Sequence, residues 1–363
     1  MAYGTVNADV IGTSVAGSNL GAGNASIMKN RIINGAMVID QRNAGASVTA
    51  TTTAVRTYVL DRWNYQTSTA SKYSLQQSST APAVFVNSLK VTSLAATSLG
   101  SSDYYVIGQP IEGYNMADLN WGSANAKTVT LSFWVQSSLT GTFGGSIESS
   151  DVGRSYPFTY TISAANTWEQ KSITIVGDTS GTYYTTNGAG AYLWFGMGVG
   201  SSLSGTAGSW SANNYLSATG ATSVVGTNGA TFYITGVQLE VGSSATGFEY
   251  VNYQTSLANC QRYYYNSWGG GTFTNFGAGF GTPAQNTTTI YNYTTFPVQM
   301  RSAPTVTVYD QLGTSGAISQ PGIANGLTGA ANRIGTTGFG TVLGSGYTAN
   351  APAIGLYVAT AEL

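Results

Sequence analysis

The chain has 363 residues, of which 13 are basic, 14 acidic, none histidine and one cysteine, so only 7% carry charge, against roughly 25% in an average soluble domain. With charges balanced and sparse, no basic face is expected for nucleic-acid phosphates or anionic lipid. The missing histidine excludes Ser-His-Asp and Cys-His catalysis and, with a single Cys260, His- or Cys-rich zinc sites and any intrachain disulfide.

In chain order, residues 1–29 are mostly Gly, Ala, Ser and Asn, with charge only at Asp9 and Lys29. They cannot bury a core alone and read as an arm that orders against a partner or frays. No cationic stretch followed by an apolar one opens the chain, and no apolar run approaches the roughly 18 residues of a membrane span. Cytoplasmic synthesis without membrane insertion is therefore expected.

From residue 30 to 253, short β runs alternate with Gly, Ser and Asn turns, and no helix of about ten residues is discernible, which points to an antiparallel jelly-roll sandwich. Ile32, Ile33, Met37, Val38 and Ile39 open it. Strands are expected near residues 58–66, 73–77, 85–94, 104–107, 129–136, 170–176 and 191–199. The stretch 231–241 reads as a strand pair, Phe232 and Ile234 and then Val237, Leu239 and Val241, with a bulge at Gly236. Leu257, Cys260 and Tyr264 fall on one stripe of a short helix, so residues 254–267 read as a helical joint with a buried thiol at Cys260. Tyr263, Tyr264 and Tyr265 read as packing between domains. Residues 268–363 form a small C-terminal β-domain with strands near 271–280, 287–296, 305–309 and 354–360. No heptads occur, which excludes a coiled-coil stalk.

GVQLEVGSSATGFEY followed by LANCQRYYY, from Gly236, resembles a module recurring in bacteriophage tail-fibre and other virion proteins. NRIINGAMVIDQR from Asn30, YVLDRWNY from Tyr58, VTLSFWVQSS from Val129 and NTWEQKSITIVGDTSGTY from Asn166 are similar to the same module in the same order. FPVQMRSAPTVTVYD from Phe296 is similar to the small β-domain that often follows it. The resemblance implies a carbohydrate-binding-module-like sandwich and a tail-fibre adhesin in the virion. Its implied partners are other virion proteins, reached through residues 1–29, and host surface polysaccharide. Small Gly-rich domains at fibre ends commonly gain their core by trimerising, so a homotrimer is expected. A capsid or tail decoration protein without a receptor role is the alternative, and a glycan depolymerase a more distant one.

Nucleotide loops and nucleophile elbows are absent, and no cofactor or metal is expected. A carboxylate pair needs no histidine. The clustered acids are Glu148 with Asp151 and Asp103 with Glu112, which serve equally as turn caps, so the chain is not read as an enzyme. Binding is the stronger reading. Val129, Leu131, Phe133 and Val135 point to one face and leave Trp134 on the other; Leu193, Phe195, Met197 and Val199 likewise leave Tyr192 and Trp194. Large aromatics opposite the core can stack on sugar rings, line a subunit interface or lie under a long loop. Trp121, Trp210 and Tyr215 are further candidates in the sandwich. Trp268, Phe273, Phe276, Tyr291 and Tyr293 are candidates at a C-terminal tip.

Overall fold

A computed structural model of the chain describes residues 28–270, 273 and 279–363. Its first part carries β1 (Val48–Thr49), β2 (Thr57–Leu60), β3 (Trp63–Thr67), β4 (Tyr73–Ser78), β5 (Ser88–Ser93) and β6 (Tyr104–Glu112). There follow β7 (Val129–Ser137), β8 (Gly141–Ser149), β9 (Ser155–Ile162), β10 (Glu169–Ile175) and β11 (Ala189–Val199). The short β12 (Ser204–Gly205) and β13 (Ser217–Ala218) then precede the long β14 (Thr231–Val241). Two six-stranded sheets result, ordered β1-β4-β5-β14-β7-β10 and β2-β3-β6-β11-β8-β9. Every pairing within them is antiparallel, and together they make an all-β, jelly-roll-like sandwich.

Period-two alternation builds its core. Val129, Leu131, Phe133 and Val135 of β7 are buried, as are Leu193, Phe195 and Met197 of β11. Phe133 meets Phe195 across the sheets at 5.1 Å between ring centroids. Each such side chain contributes roughly 1.5–3 kcal/mol by leaving water. The stretch 231–241 is one strand rather than a pair. Its register against β7 shifts between Thr235 and Gln238, and Gly236 there has φ +61°, the conformation a bulge asks of glycine.

Other expectations change with tertiary context. The opening apolar run forms no strand. Residues 33–36 and 41–45 are turns, pinned by the Asn34 side chain, which donates to the carbonyls of Ile39 and Asp61 and accepts from the Ile39 N–H. Residues 58–66 are a hairpin, with Leu60 opposite Trp63. Phe85 lies outside β5, and a Cβ on Gly236 would come within 2.5 Å of its ring. Lys29 belongs to the sandwich instead of to a free arm, its Nζ donating to Thr246 Oγ1 (2.8 Å) and the Gly247 carbonyl (2.5 Å). The arm itself, residues 1–27, lies outside the described residues.

Helix α1 (Tyr253–Gln261) starts at Asn252, whose side chain accepts from the Thr255 N–H (2.8 Å). It buries Ser256 and Cys260. Tyr264 is not on its stripe but opens β15 (Tyr264–Asn266). Next come β16 (Phe280–Pro283), β17 (Thr289–Thr295), β18 (Thr305–Tyr309) and β19 (Ala317–Gln320). The chain closes with β20 (Ala324–Gly335), β21 (Gly338–Gly344) and β22 (Pro352–Thr360). The ladder path runs β15-β22-β19-β20-β21-β17, and β16 and β18 also pair with β22. Ala284, just past β16, bridges Ile290 of β17, so the ladders return on themselves as a small barrel. Phe280, Ile290, Phe296, Ile318, Phe339, Val342 and Tyr357 fill it. One chain thus builds this core by itself, and the barrel does not depend on trimerising for it. The expected strand at 271–280 falls mostly outside the described residues, which resume at Gly279.

Some of the scarce charges lie between sandwich and barrel. Glu362 pairs with Arg42 (2.6 Å) and with the fully buried Arg62. Glu112 receives Arg262 in two bonds, 3.0 and 2.6 Å, and the Tyr263 hydroxyl. The Arg62 guanidinium lies 3.7 Å from the Tyr263 ring centroid, and Arg42 the same distance from that of Tyr264. Tyr265 packs against Tyr357 of the barrel. Tyr263 and Tyr264 therefore seat the barrel on the sandwich, whereas Tyr265, expected to pack between the domains, packs within the barrel.

Candidate functional site

The fold treats the candidate aromatics unequally. Trp194 is 2% exposed, with its indole lying against Gly108, where a Cβ would come within 2.5 Å of the ring. Leu216 and the partly buried Leu203 cover it together with Tyr192. The two rings are parallel within 10°, and Arg56 lies 4.2 Å from the Tyr192 centroid. As they stand, neither is an open stacking surface; the segment from Leu203 to Leu216 has taken the place a sugar would need. Trp121 is also buried, edge-on to Tyr183 and Trp210, its Nε1 donating to the Lys127 carbonyl (2.8 Å). Trp210 is half-buried in that cluster and donates to the Val176 carbonyl. Tyr215 packs over Gly205, and Trp134 beside Gly236, both half-buried.

On the barrel, Trp268 and Phe273 are half-buried and meet each other and Tyr309. Phe276 lies outside the described residues. Tyr291 is exposed and Tyr293 is 80% exposed, both pointing outward from β17 while Ile290 and Asn292 point in. Of the candidate aromatics described, these two are the open ones.

The clustered acids sit in unlike surroundings. Glu148 is buried, its Oε2 accepting from Trp194 Nε1 (2.5 Å) while Oε1 has no partner. Burial pushes its carboxyl up to about 7, against the pull of the Trp194 bond. Asp151 instead caps its own turn through Ser149 and the Gly153 N–H. Asp103 does the same with Ser68 and the Gly100 N–H. Glu112 is committed to Arg262 and Tyr263. Among the described residues no three His, Cys, Asp or Glu side chains cluster to hold a metal.

Two concavities were not legible in the sequence. The larger, about 780 Å³, lies between residues 28–38, the 84–86 loop, residues 248–251 and α1. Phe85, Phe248 and Tyr250 form an aromatic triad at its wall, with Phe85 and Tyr250 stacked at 5.6 Å. Met28, Val84, Val86, Tyr250 and Val251 line it and are exposed, an apolar rim of the kind that marks an interface. The smaller, about 410 Å³, opens between β16 and β17 beside Tyr293. Tyr250 and Phe248 sit in the GFEY stretch of the quoted module, so the signal was present but spoke for the module and not for a groove.

No protein-family model matches the sequence, and neither does any curated protein. Solved structures are similar in outline. The enzymatically active domain of tailspike protein 4 of bacteriophage CBA120 aligns over 59% of this chain and 22% of its own, at 13% identity and TM-score 0.32. A family 11 carbohydrate-binding module from Clostridium thermocellum, in complex with a β-1,3-1,4-mixed-linked tetrasaccharide, aligns over 56% of this chain and 100% of its own, at 11% identity and TM-score 0.28. The N-terminal cellulose-binding domain of Cellulomonas fimi β-1,4-glucanase C aligns over 47% and 85%, at 14% identity and TM-score 0.24. The chain thus spans 22% of the tailspike domain's length. Likeness at these scores transfers neither ligand nor role.

Proposed function

We propose that the chain is a structural component of a bacteriophage particle, a tail-fibre adhesin that attaches the particle to host-surface glycan through its C-terminal barrel. The observation that carries this reading is the exposure of Tyr291 and Tyr293 on β17, while the candidate aromatics of the sandwich, Trp121, Trp134, Tyr192, Trp194, Trp210 and Tyr215, are buried or half-buried. The quoted tail-fibre-like segments support the virion role. In this reading the arm before Met28 meets other virion proteins, the barrel lies outermost, and three copies act together. No catalytic step belongs to it. With 7% charged residues, ion pairs and counterion release contribute little, so attachment depends weakly on salt. Stacking carries it instead. Each tyrosine truncated to Ala is expected to weaken binding by about 1–3 kcal/mol, magnified on a cell surface by trimeric avidity.

The test compares host-cell binding by the full chain and by a Tyr291→Ala/Tyr293→Ala variant at low and high salt, with light scattering for the trimer and antibody-labelled negative stain for the virion. Wild-type binding by the double variant would overturn the assignment to the barrel, and loss of binding in salt would overturn stacking. A second reading, decoration without host contact, is favoured by the apolar groove at Met28: there the protein attaches to the particle and nothing binds the cell.

A further inference from the structure

The barrel is closed only narrowly between β16 and β17. Among the described residues, the Ala284–Ile290 bridge and a bond from the Gln285 N–H to the Thr289 carbonyl (2.8 Å) are what join them. Toward Gly279 on one side and Thr295 on the other the strands part. Each keeps its outer ladder, β16 to β22 and β17 to β21, so the edges facing each other across the gap carry no ladder. This gap is the 410 Å³ cleft, within the size range of small-ligand sites.

Its chemistry is specific. None of the described residues that line it bears a formal charge. Two polar atoms in its wall, Asn292 Oδ1 and Thr282 Oγ1, are shut off from solvent and have no hydrogen-bond partner, while Asn292 Nδ2 is committed to Thr294 Oγ1 (3.0 Å). Folded proteins leave few such atoms, because each one stranded is destabilising. A hydroxyl donor entering between the strands would complete them. Tyr293, the next residue on β17, points outward and stands at the mouth of the cleft, a broad apolar ring with a polar tip that is 80% exposed. Arg333, whose guanidinium lies 5.9 Å from the Tyr291 centroid, does not line the cleft.

Resting on the reading of the barrel as the glycan-facing end, we propose that this cleft binds one uncharged pyranose residue of a surface polysaccharide, its C–H face against Tyr293 and its hydroxyls toward Asn292 and Thr282. A carboxylated sugar would lose its hydration there without meeting a cation, and is disfavoured. The gap also suits a chain terminus or a projecting branch better than the middle of a long polymer, since it is bounded at one end by the Ala284–Ile290 bridge.

Gly281 supplies a clean probe. A Cβ at this position meets no atom within 4 Å, so Gly281→Met starts its added side chain in open space at the cleft. Its melting temperature is expected to match the wild type. Saturation-transfer NMR on the full chain would use methyl glycosides of glucose, galactose, mannose and N-acetylglucosamine, with glucuronic and N-acetylneuraminic acids as charged counterparts. At least one neutral glycoside is expected to bind, tenfold or more weakly in Tyr293→Ala and in Gly281→Met, and unchanged in Tyr250→Ala at the distant groove. Undiminished binding in Gly281→Met, or preference for the acids, overturns the cleft. If cells still bind through Tyr291 and Tyr293 while no neutral glycoside binds, the cleft is wrong and the adhesin reading stands. If neither cells nor glycosides bind, both fall.

Discussion

Replacing Glu148 by glutamine should stabilise the protein at and above neutral pH and leave it little changed in acid. Its carboxyl is 2% exposed, with one oxygen on Trp194 Nε1 and the other buried without a partner. Burial therefore raises it from 4.5 to about 7. A raised carboxyl favours the protonated fold, so the stability it contributes is whole below about 4.5, declines through the interval and is gone above about 7. At roughly 1.4 kcal/mol per pH unit, that interval amounts to about 3 kcal/mol. Glutamine keeps an oxygen for Trp194 and cannot ionise, so it removes this loss. Urea unfolding followed by tryptophan fluorescence, repeated across the interval, would measure it. Asp61, buried against Gln41 and raised from 3.8 to about 6, gives the variant a residual slope of the same sign. The diagnostic is the difference between the two curves. Parallel curves for wild type and Glu148→Gln would refute the reasoning, because the carboxyl would then titrate alike folded and unfolded.

Glu362→Ala strands the buried Arg62 guanidinium and should destabilise by about 3–5 kcal/mol in denaturant unfolding; a loss under 1 kcal/mol would show that water or another acceptor replaces it. Gly108→Ala places a methyl within 2.1 Å of the Leu193 carbonyl and 2.5 Å of the Trp194 ring, so it should lower the melting temperature markedly, whereas Gly281→Ala should stay within about 0.5 kcal/mol of wild type. Burial raises the Cys260 thiol, so a thiol reagent should label the native chain negligibly and the unfolded chain once.

Alternation was legible wherever apolar residues are large: β7, β11 and β14 can be read from Phe133, Leu193 and Leu239, and the Gly236 bulge with them. Strands built of small residues were not. β8 (GTFGGSIES) is not among the expected strands, and a Cβ at Gly145 would come within 2.5 Å of the Phe158 ring, so glycine there makes room for an aromatic. β9 contains Pro157, tolerated because β9 ends its sheet. β20 and β21 were hidden in the same way by the Gly-dense stretch after Gly313. The site was less legible than the fold. Periodicity places Trp194 opposite the core correctly, but it cannot foresee that Leu203 and Leu216 return from about ten and twenty residues on to cover it. Nor can spacing show that β16 and β17 part, since the cleft arises from a ladder that fails to form.

The tail that ends at Leu363 gives the joint a mechanical character. The chain enters the barrel from α1 through β15 and leaves it along β22, and these two strands are hydrogen-bonded neighbours, Tyr264 opposite Thr360. Just beyond, Glu362 grips Arg42 and Arg62, and the Tyr58 hydroxyl donates to the Leu363 carbonyl (2.9 Å). A pull on the barrel thus reaches the sandwich along the covalent joint and, in parallel, through the Glu362 ion pairs and the hydrogen bonds between Asn187 and Arg301, so it cannot swivel freely about a single tether. Torque on the barrel would be resisted as shear across aligned bonds, those of the β15–β22 ladder and of the Glu362 grip loaded together.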